Sequence, residues 1–331
     1  MYTVVFDFPL IGICRINFEK KEQFEYVKRQ FLNYYVSYKV TSDKMHGIQS
    51  CLSFDNKEVV RKFQLYSRKN LGLSRNVYWK NECLLIGNYN YSIKNGSVKI
   101  YVMKSKTKKA LLKYLYHNIT NRSEEKRYAF QGGEFYQCAL FPLISVYSAC
   151  FGMFCVHGSL IHLNNGENII ISGLDGVGKS TLADMICSNK SHLLLGDNII
   201  LFNGSDALNF NIAMRLENDT PTKLDVIYFN KKIKEVLPKT ISYGMCHIDK
   251  IYNLLRDYKN TDITEYTDSL TPYEWIMFME SAPEIGQANK ILSFWLMMHA
   301  LVFKHNEIEV QIASLSVPNG KLSLAKELIL K

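Results

Sequence analysis

Residues 169–186 read IIISGLDGVGKSTLADMI, and the rest of the chain is best understood outward from them. Three isoleucines and a serine have the composition of a buried strand. They run into Gly173-Leu174-Asp175-Gly176-Val177-Gly178-Lys179-Ser180, the spacing GxxxxGK[ST], and then into TLADMI, a good helix start. A glycine-rich turn between strand and helix points backbone N–H groups inward, and the helix N-terminus adds its dipole, so the segment forms an anion site suited to a β-phosphate. Gly173, Gly176 and Gly178 allow the close backbone approach this needs. Lys179 is expected at the β- and γ-phosphates, and the Ser180 hydroxyl on Mg²⁺. Gly173, Asp175, Gly176, Val177, Gly178, Lys179, Ser180 and Thr181 are the expected nucleotide-binding set, with ATP and Mg²⁺ as cofactors. By composition, a chance match in a chain this long is on the order of one in a hundred, and the strand-loop-helix context lowers it.

Composition bounds what surrounds the loop. At 331 residues and 47% hydrophobic, the chain is long enough for one large or two medium domains with real cores. Its eight cysteines form no CxxC pair, which fits apolar core residues in a reducing compartment and argues against a structural metal or a disulfide framework. The N-terminus lacks a basic leader and carries Asp7 and Arg15 within its apolar stretch, so it is read as a first strand and the protein as cytoplasmic. Residues 138–156 carry no charge over a length that could span a bilayer. They also hold Pro142 and Gly152 and lead directly toward the phosphate loop, so a buried helix followed by a strand is expected and no membrane span.

Charge divides the chain. Residues 1–130 have 24 Lys and Arg against 10 Asp and Glu, a net +14, whereas residues 131–331 have 16 against 21, a net −5. A boundary is expected in the polar stretch ending at Gly132-Gly133, giving a basic N-terminal α+β domain (1–132) and a phosphate-loop domain (133–331). In the first, residues 21–38 read as a helix with one face marked by Phe24, Val27, Phe31 and Tyr34 or Tyr35, residues 77–103 read as strands with a hairpin turn at Asn95-Gly96, and 106–119 returns to helical spacing. In the second, the expected order is a helix (139–150), strands MFCVHGSLIHL and ENIIIS, the loop and its helix, strands HLLLGD, IILF and KLDVIYF, helices at 247–258, 273–280 and 284–304, a strand IEVQIASLS and a last short helix. This is a mixed-sheet α/β (α+β) architecture.

His157-Gly158-Ser159 on one strand, GLDGVGKST after the next, and LLLGDN about sixteen residues past the loop resemble the catalytic domain of HPr kinase/phosphorylase and its relatives, which share a nucleotide-binding fold with phosphoenolpyruvate carboxykinase. The resemblance covers roughly residues 138–230. It implies that His157 lies near the transferred phosphate, that Asp197 serves at the metal and as base for an acceptor hydroxyl, and that Lys179 completes the catalytic set. Phosphoryl transfer to an alcohol independently requires a carboxylate at the hydroxyl and positive charge on the phosphate. Where the family has a second aspartate this chain has Asn198, able to ligate a metal but not to take a proton. Its downstream phosphorylase signature is not recognisable in DALNFNIAMRLEND. The resemblance is therefore closer to the smaller peptide and serine kinases than to HPr kinase itself.

These observations predict an ATP-dependent kinase acting on Ser or Thr of a peptide or protein. A kinase for a small hydroxyl compound such as free serine, and a non-catalytic ATP-binding regulatory protein, remain alternatives. Read without the resemblance, His157 is a histidine packed at a strand end and Asp197 a strand-end carboxylate. Asp175 either tunes Mg²⁺ or acceptor binding or only favours the turn. His162 falls on the opposite strand face from His157. Arg215 and Lys223 are candidates to neutralise phosphate charge, and Asp225 is read as an ion-pair partner. The basic region with KSKTKK at 104–109 is a solvated face or a surface for an acidic protein or peptide, in preference to nucleic acid; a homo-oligomer is left open.

Overall fold

Apolar alternation at the N-terminus builds a hairpin. β1 (Tyr2–Phe8) and β2 (Gly12–Phe18) pair antiparallel and bury Val4, Phe6, Phe8, Cys14, Ile16 and Phe18. Helix α1 (Lys21–Gln30) covers them with Phe24 and Val27, and its C-cap Phe31 meets Phe6 and Phe8 edge-on at 5.6 and 5.3 Å between ring centroids. The spacing of these positions predicted the helix, but it stops at Gln30, and Tyr35, expected on the same helical face, instead opens the strand Tyr35–Val40. This is seen in a computed structural model that describes residues 1–31, 34–42, 48–54, 56–70, 77–80, 83–86, 89–94, 97–103, 139–174, 176–189, 191–209, 214–217, 226–228, 231–236, 245–260, 262–267 and 310–331.

Strands β3 (Tyr35–Val40), β4 (Ile48–Phe54), β5 (Val77–Lys80), β6 (Cys83–Ile86), β7 (Tyr89–Lys94) and β8 (Ser97–Met103) complete an antiparallel eight-stranded sheet in the order β3-β1-β2-β4-β8-β7-β6-β5. A second helix, α2 (Lys57–Asn70), was not anticipated. Its start is signalled by Asn56, whose Oδ1 accepts from the backbone N–H of Glu58 and Val59 at 3.0 and 3.2 Å.

The uncharged segment forms α3 (Phe141–Phe151), buried through Leu143, Ile144, Val146 and Tyr147. The sequence placed this helix with the phosphate loop. Instead the Tyr147 hydroxyl donates to the Pro9 carbonyl at 2.6 Å and the Cys150 thiol to the Val59 carbonyl at 3.4 Å, tying α3 to the β1–β2 turn and to α2. The chain forms two units, the first comprising Met1–Phe151, Glu217–Lys234 and Ala288–Met297 and the second Gly152–Leu216, Glu235–Gln287 and Met298–Lys331; the boundary expected near Gly132 lies outside the described residues. Among the described residues no helix is long and apolar enough to cross a membrane, and none of the described cysteines forms a disulfide.

The second unit is built on a mixed sheet. β9 (Phe154–His162), β10 (Asn168–Gly173), β11 (Leu193–Phe202) and β12 (Asp206–Asn209) are followed along the chain by a separate three-stranded sheet of β13 (Met214–Glu217), β14 (Val226–Tyr228) and β15 (Lys231–Val236), ordered β13-β15-β14, whose stretch from Glu217 to Lys234 belongs to the first unit. β16 (Met245–His247), β17 (Lys250–Asp257), β18 (Thr264–Thr267) and β19 (Gln311–Pro318) return to the large sheet, whose order is β16-β12-β11-β9-β10-β17-β19-β18. β10, β17 and β19 are mutually parallel, and β9 runs antiparallel between β10 and β11. Helices α4 (Lys179–Cys187) and α5 (Leu322–Ile329) pack on one face through Leu182, Ile186, Ala325 and Ile329 against Ile171 and Leu315. The protein is thus α/β with large sheets and few described helices.

Two expectations are corrected in this sheet. The helix expected at 247–258 is strand: Ile251, Tyr252, Asn253 and Leu254 are all buried between β10 and β19. A short run that is apolar on both faces has no alternation to distinguish it from a helix, and IYNLL also satisfies helical spacing. HLLLGD and IILF, expected as separate strands, are one strand, β11, with an irregularity between Leu194 and Gly196. The helices expected at 106–119, 273–280 and 284–304, and the basic cluster at 104–109, lie outside the described residues.

Candidate functional site

The phosphate loop begins where β10 ends. Gly173 has φ of 143°, and a side chain there would place its Cβ 2.6 Å from the Leu254 carbonyl of the neighbouring parallel strand, so only glycine fits. Gly176 (φ 74°) and Gly178 (φ 105°) also lie in the left-handed region. Gly178 is the N-cap of α4 and has no side chain to bond the first N–H groups of the helix, which leaves those donors for an anion. Lys179 opens α4, is buried, and its Nζ donates back to the carbonyls of Gly173 at 3.0 Å and Leu174 at 2.9 Å. The ammonium is therefore held across the mouth of the turn. Val177 is buried and its N–H donates to the Leu174 carbonyl at 3.3 Å; Thr181 is exposed on α4. Asp175 lies outside the described residues.

Strand register brings the remaining groups to this loop. Asp197 on β11 pairs with Ser159 on β9, and Ile199 pairs with His157, so by alternation His157, Ser159 and Asp197 share one face. Asp197 is therefore not the strand-end residue the sequence suggested. It sits in the middle of β11, 2% exposed, on the same face as the core that packs α4. Its carboxylate accepts from Ser159 Oγ at 2.5 Å and from Ser180 Oγ at 3.2 Å to Oδ1 and 3.1 Å to Oδ2. Two expected residues, Ser180 and Asp197, are in direct contact. His157 is buried on β9, two residues before Ser159. His162, on the other face, bonds Asn168 Oδ1 at 2.9 Å, a partner that accounts for it structurally.

Gly158 carries the HG spacing for a steric reason. A Cβ there would lie 2.5 Å from the Ile171 carbonyl, so β9 can approach β10 only with glycine. The side chains of Asn198 and Arg215, and Lys223 and Asp225 altogether, lie outside the described residues.

No protein-family model matches this chain, and no curated protein matches it in sequence. Among solved structures, that of the HPr(Ser) kinase/phosphatase from Coxiella burnetii is similar over 53% of this chain and 87% of its own, at 11% identity and a TM-score of 0.27. At that level of likeness the functional reading rests on the geometry of the site.

The sequence pointed past two residues of the site. Ser159 stood inside the quoted HGS and was given no role, although its spacing of two from His157 already put both on one strand face. Arg256 was lost when its strand was read as helix; its Nη2 donates to the Gly176 carbonyl at 2.8 Å. A single cation closing the buried run IYNLL was the available signal.

The donor set suits Mg²⁺. This ion is held by one or two protein oxygens together with substrate phosphates, not by an all-protein cage. One hydroxyl and one carboxylate meet at the loop, and no cluster of three or more His, Cys, Asp or Glu able to hold a metal occurs among the described residues.

Proposed function

We propose that this protein is an ATP-dependent kinase that transfers the γ-phosphate to a hydroxyl, of Ser or Thr in a peptide or protein, with Asp197 as the base. The observation that carries the reading is the bond from Ser180 to Asp197, because it joins a carboxylate from a separate strand to the first turn of the helix behind the phosphate loop. The loop and Lys179 bind the β- and γ-phosphates. Ser180 and Asp197 are the residues that would hold Mg²⁺, whose charge, when bound, offsets that of the phosphate oxygens. Ser159 fixes the orientation of the carboxylate. Asp197 then takes the proton of the acceptor hydroxyl as its oxygen bonds to the γ-phosphorus and the bond from phosphorus to the β,γ-bridging oxygen breaks, leaving ADP. His157, on the same face, is assigned to the transferred phosphate.

Incubation with γ-labelled ATP and a panel of Ser- and Thr-containing peptides, proteins and free serine tests the reading, with Asp197→Asn in parallel. Labelled peptide or protein from the wild type, lost in the variant, supports it. Undiminished transfer by Asp197→Asn removes that residue from the mechanism. ATP binding with no acceptor labelled replaces the kinase with a regulatory nucleotide-binding protein.

The net +14 of residues 1–130 suits an acidic acceptor. Association should then weaken steeply as salt rises above about 0.15 M, where the screening length is about 8 Å. Acceptor binding that is insensitive to salt would remove this part of the proposal.

A further inference from the structure

We infer that Arg256 is a positioning residue that locks the phosphate loop in its binding shape and, through the loop, sets the place of the Lys179 ammonium; this deepens the kinase reading and rests on it for the identity of the ligand. Arg256 is the seventh residue of β17, the parallel neighbour of the strand that delivers the loop, and lies two residues beyond Leu254, which pairs with Gly173. Its guanidinium reaches across the strand ends and donates Nη2–H to the Gly176 carbonyl at 2.8 Å.

That carbonyl belongs to a planar trans peptide unit whose other end is the Val177 N–H, so the two groups point in opposite directions. Fixing the carbonyl toward Arg256 fixes the N–H toward the inside of the turn, where it donates to the Leu174 carbonyl at 3.3 Å. The same Leu174 carbonyl accepts from Lys179 Nζ at 2.9 Å, and Nζ also donates to the Gly173 carbonyl at 3.0 Å. A continuous set of bonds therefore runs from β17 through one peptide plane to the lysine that meets the phosphates. Gly176 lies at φ 74°, and a Cβ built on it would meet nothing within 4 Å, so the residue itself contributes no packing that would hold this carbonyl in place. Glycine loses more conformational freedom on ordering than any other residue, and an external donor removes that freedom in advance of binding.

Arginine suits this position better than lysine. Its planar fork holds a carbonyl with directional N–H groups and keeps its charge, whereas an ammonium on a flexible stem is a point charge. The side chain is exposed, so its removal leaves no buried cavity.

The experiment compares wild type, Arg256→Ala and Arg256→Lys by two readouts. The first is amide hydrogen exchange over residues 172–181 in the nucleotide-free protein. Arg256→Ala should speed exchange there at least several-fold while the strands of the same sheet are unchanged. The second is calorimetric affinity for Mg-ATP and Mg-ADP. Arg256→Ala should weaken both by a similar factor, about five- to tenfold for the loss of one partly solvated charged hydrogen bond, with Arg256→Lys between it and wild type. In turnover the loss should fall on the KM for ATP more than on kcat. Unchanged exchange in the loop overturns the inference. A loss confined to ATP, with ADP unaffected, overturns it in favour of direct contact with the γ-phosphate. If the wild type bound no nucleotide, the kinase reading would fail while the exchange readout still decided the role of Arg256.

Discussion

Ser180 and Asp197 stand seventeen positions apart in the chain, yet the hydroxyl of one donates to both carboxylate oxygens of the other, at 3.2 and 3.1 Å. If Asp197 is the base, Asp197→Asn should lower kcat by a factor of about 10² to 10⁴, because the amide cannot take the proton. Ser180→Ala should instead weaken Mg-dependent binding of ATP, with a smaller effect when Mg²⁺ is chelated. Calorimetry with and without EDTA, beside single-turnover rates, separates the two.

Removal of Lys179 should abolish productive ATP binding and leave the fold in place. Its ammonium bonds the Gly173 and Leu174 carbonyls of the loop, and the buried apolar side chains beneath the loop are contributed by other residues. Calorimetry on Lys179→Ala, with far-ultraviolet dichroism as the check on folding, reads this directly. Unchanged affinity would mean that the loop is not the nucleotide site.

Gly158→Ala should destabilise the second unit and disturb the site together. The added Cβ would sit 2.5 Å from the Ile171 carbonyl, which is backbone and cannot rotate away. Overpacking of this kind costs about 1–3 kcal/mol. Because β9 carries Ser159, its displacement should also loosen the bond to Asp197. A thermal scan and an activity assay should move in the same direction, and wild-type values in both would refute the steric account of the HG spacing.

The first unit supplies a stability test remote from the loop. Tyr147 is fully buried and its hydroxyl donates to the Pro9 carbonyl at 2.6 Å; burial holds its ionisation well above the usual tyrosine range. Tyr147→Phe keeps the ring and removes one hydrogen bond, so it should cost about 1 kcal/mol. Tyr147→Ala adds a cavity and should cost about 3–5 kcal/mol. Denaturant midpoints at constant slope distinguish these values.

Acid should weaken the second unit through His192. Burial, with the nearby Lys326 charge, holds this imidazole below its ordinary pKa, and its Nδ1 accepts from the Asn164 backbone N–H at 3.2 Å. The folded pKa is lowered, so between it and the unfolded value near 6.5 the unfolded chain binds more protons. Stability contributed by the neutral ring is then present above about pH 6.5, falls as pH drops through that value, and levels off below the folded pKa. His192→Gln should flatten that part of the stability profile in urea titrations from pH 7.5 to 5.

What could be read before folding was local. Residues 169–181 carried their own geometry, since a glycine at each left-handed position and a Lys-Ser pair at the helix start specify strand, turn and helix within a dozen residues. The α1 face was legible from Phe24, Val27 and Phe31 because helical spacing is a one-dimensional signal. The long-range features were not legible. β17 read as helix because a strand buried between two others loses the alternation that identifies it. Helix α3 was assigned to the wrong unit because its partners, Pro9 and Val59, lie far away along the chain. The bonds that Ser159 and Arg256 make to Asp197 and Gly176 depend on which strands lie side by side and in what register. The sequence by itself determined the strand, glycine turn and helix of the loop, while only the tertiary structure decided which carboxylate and which cation meet it, because pairing between distant strands is settled by packing and not by neighbours in the chain.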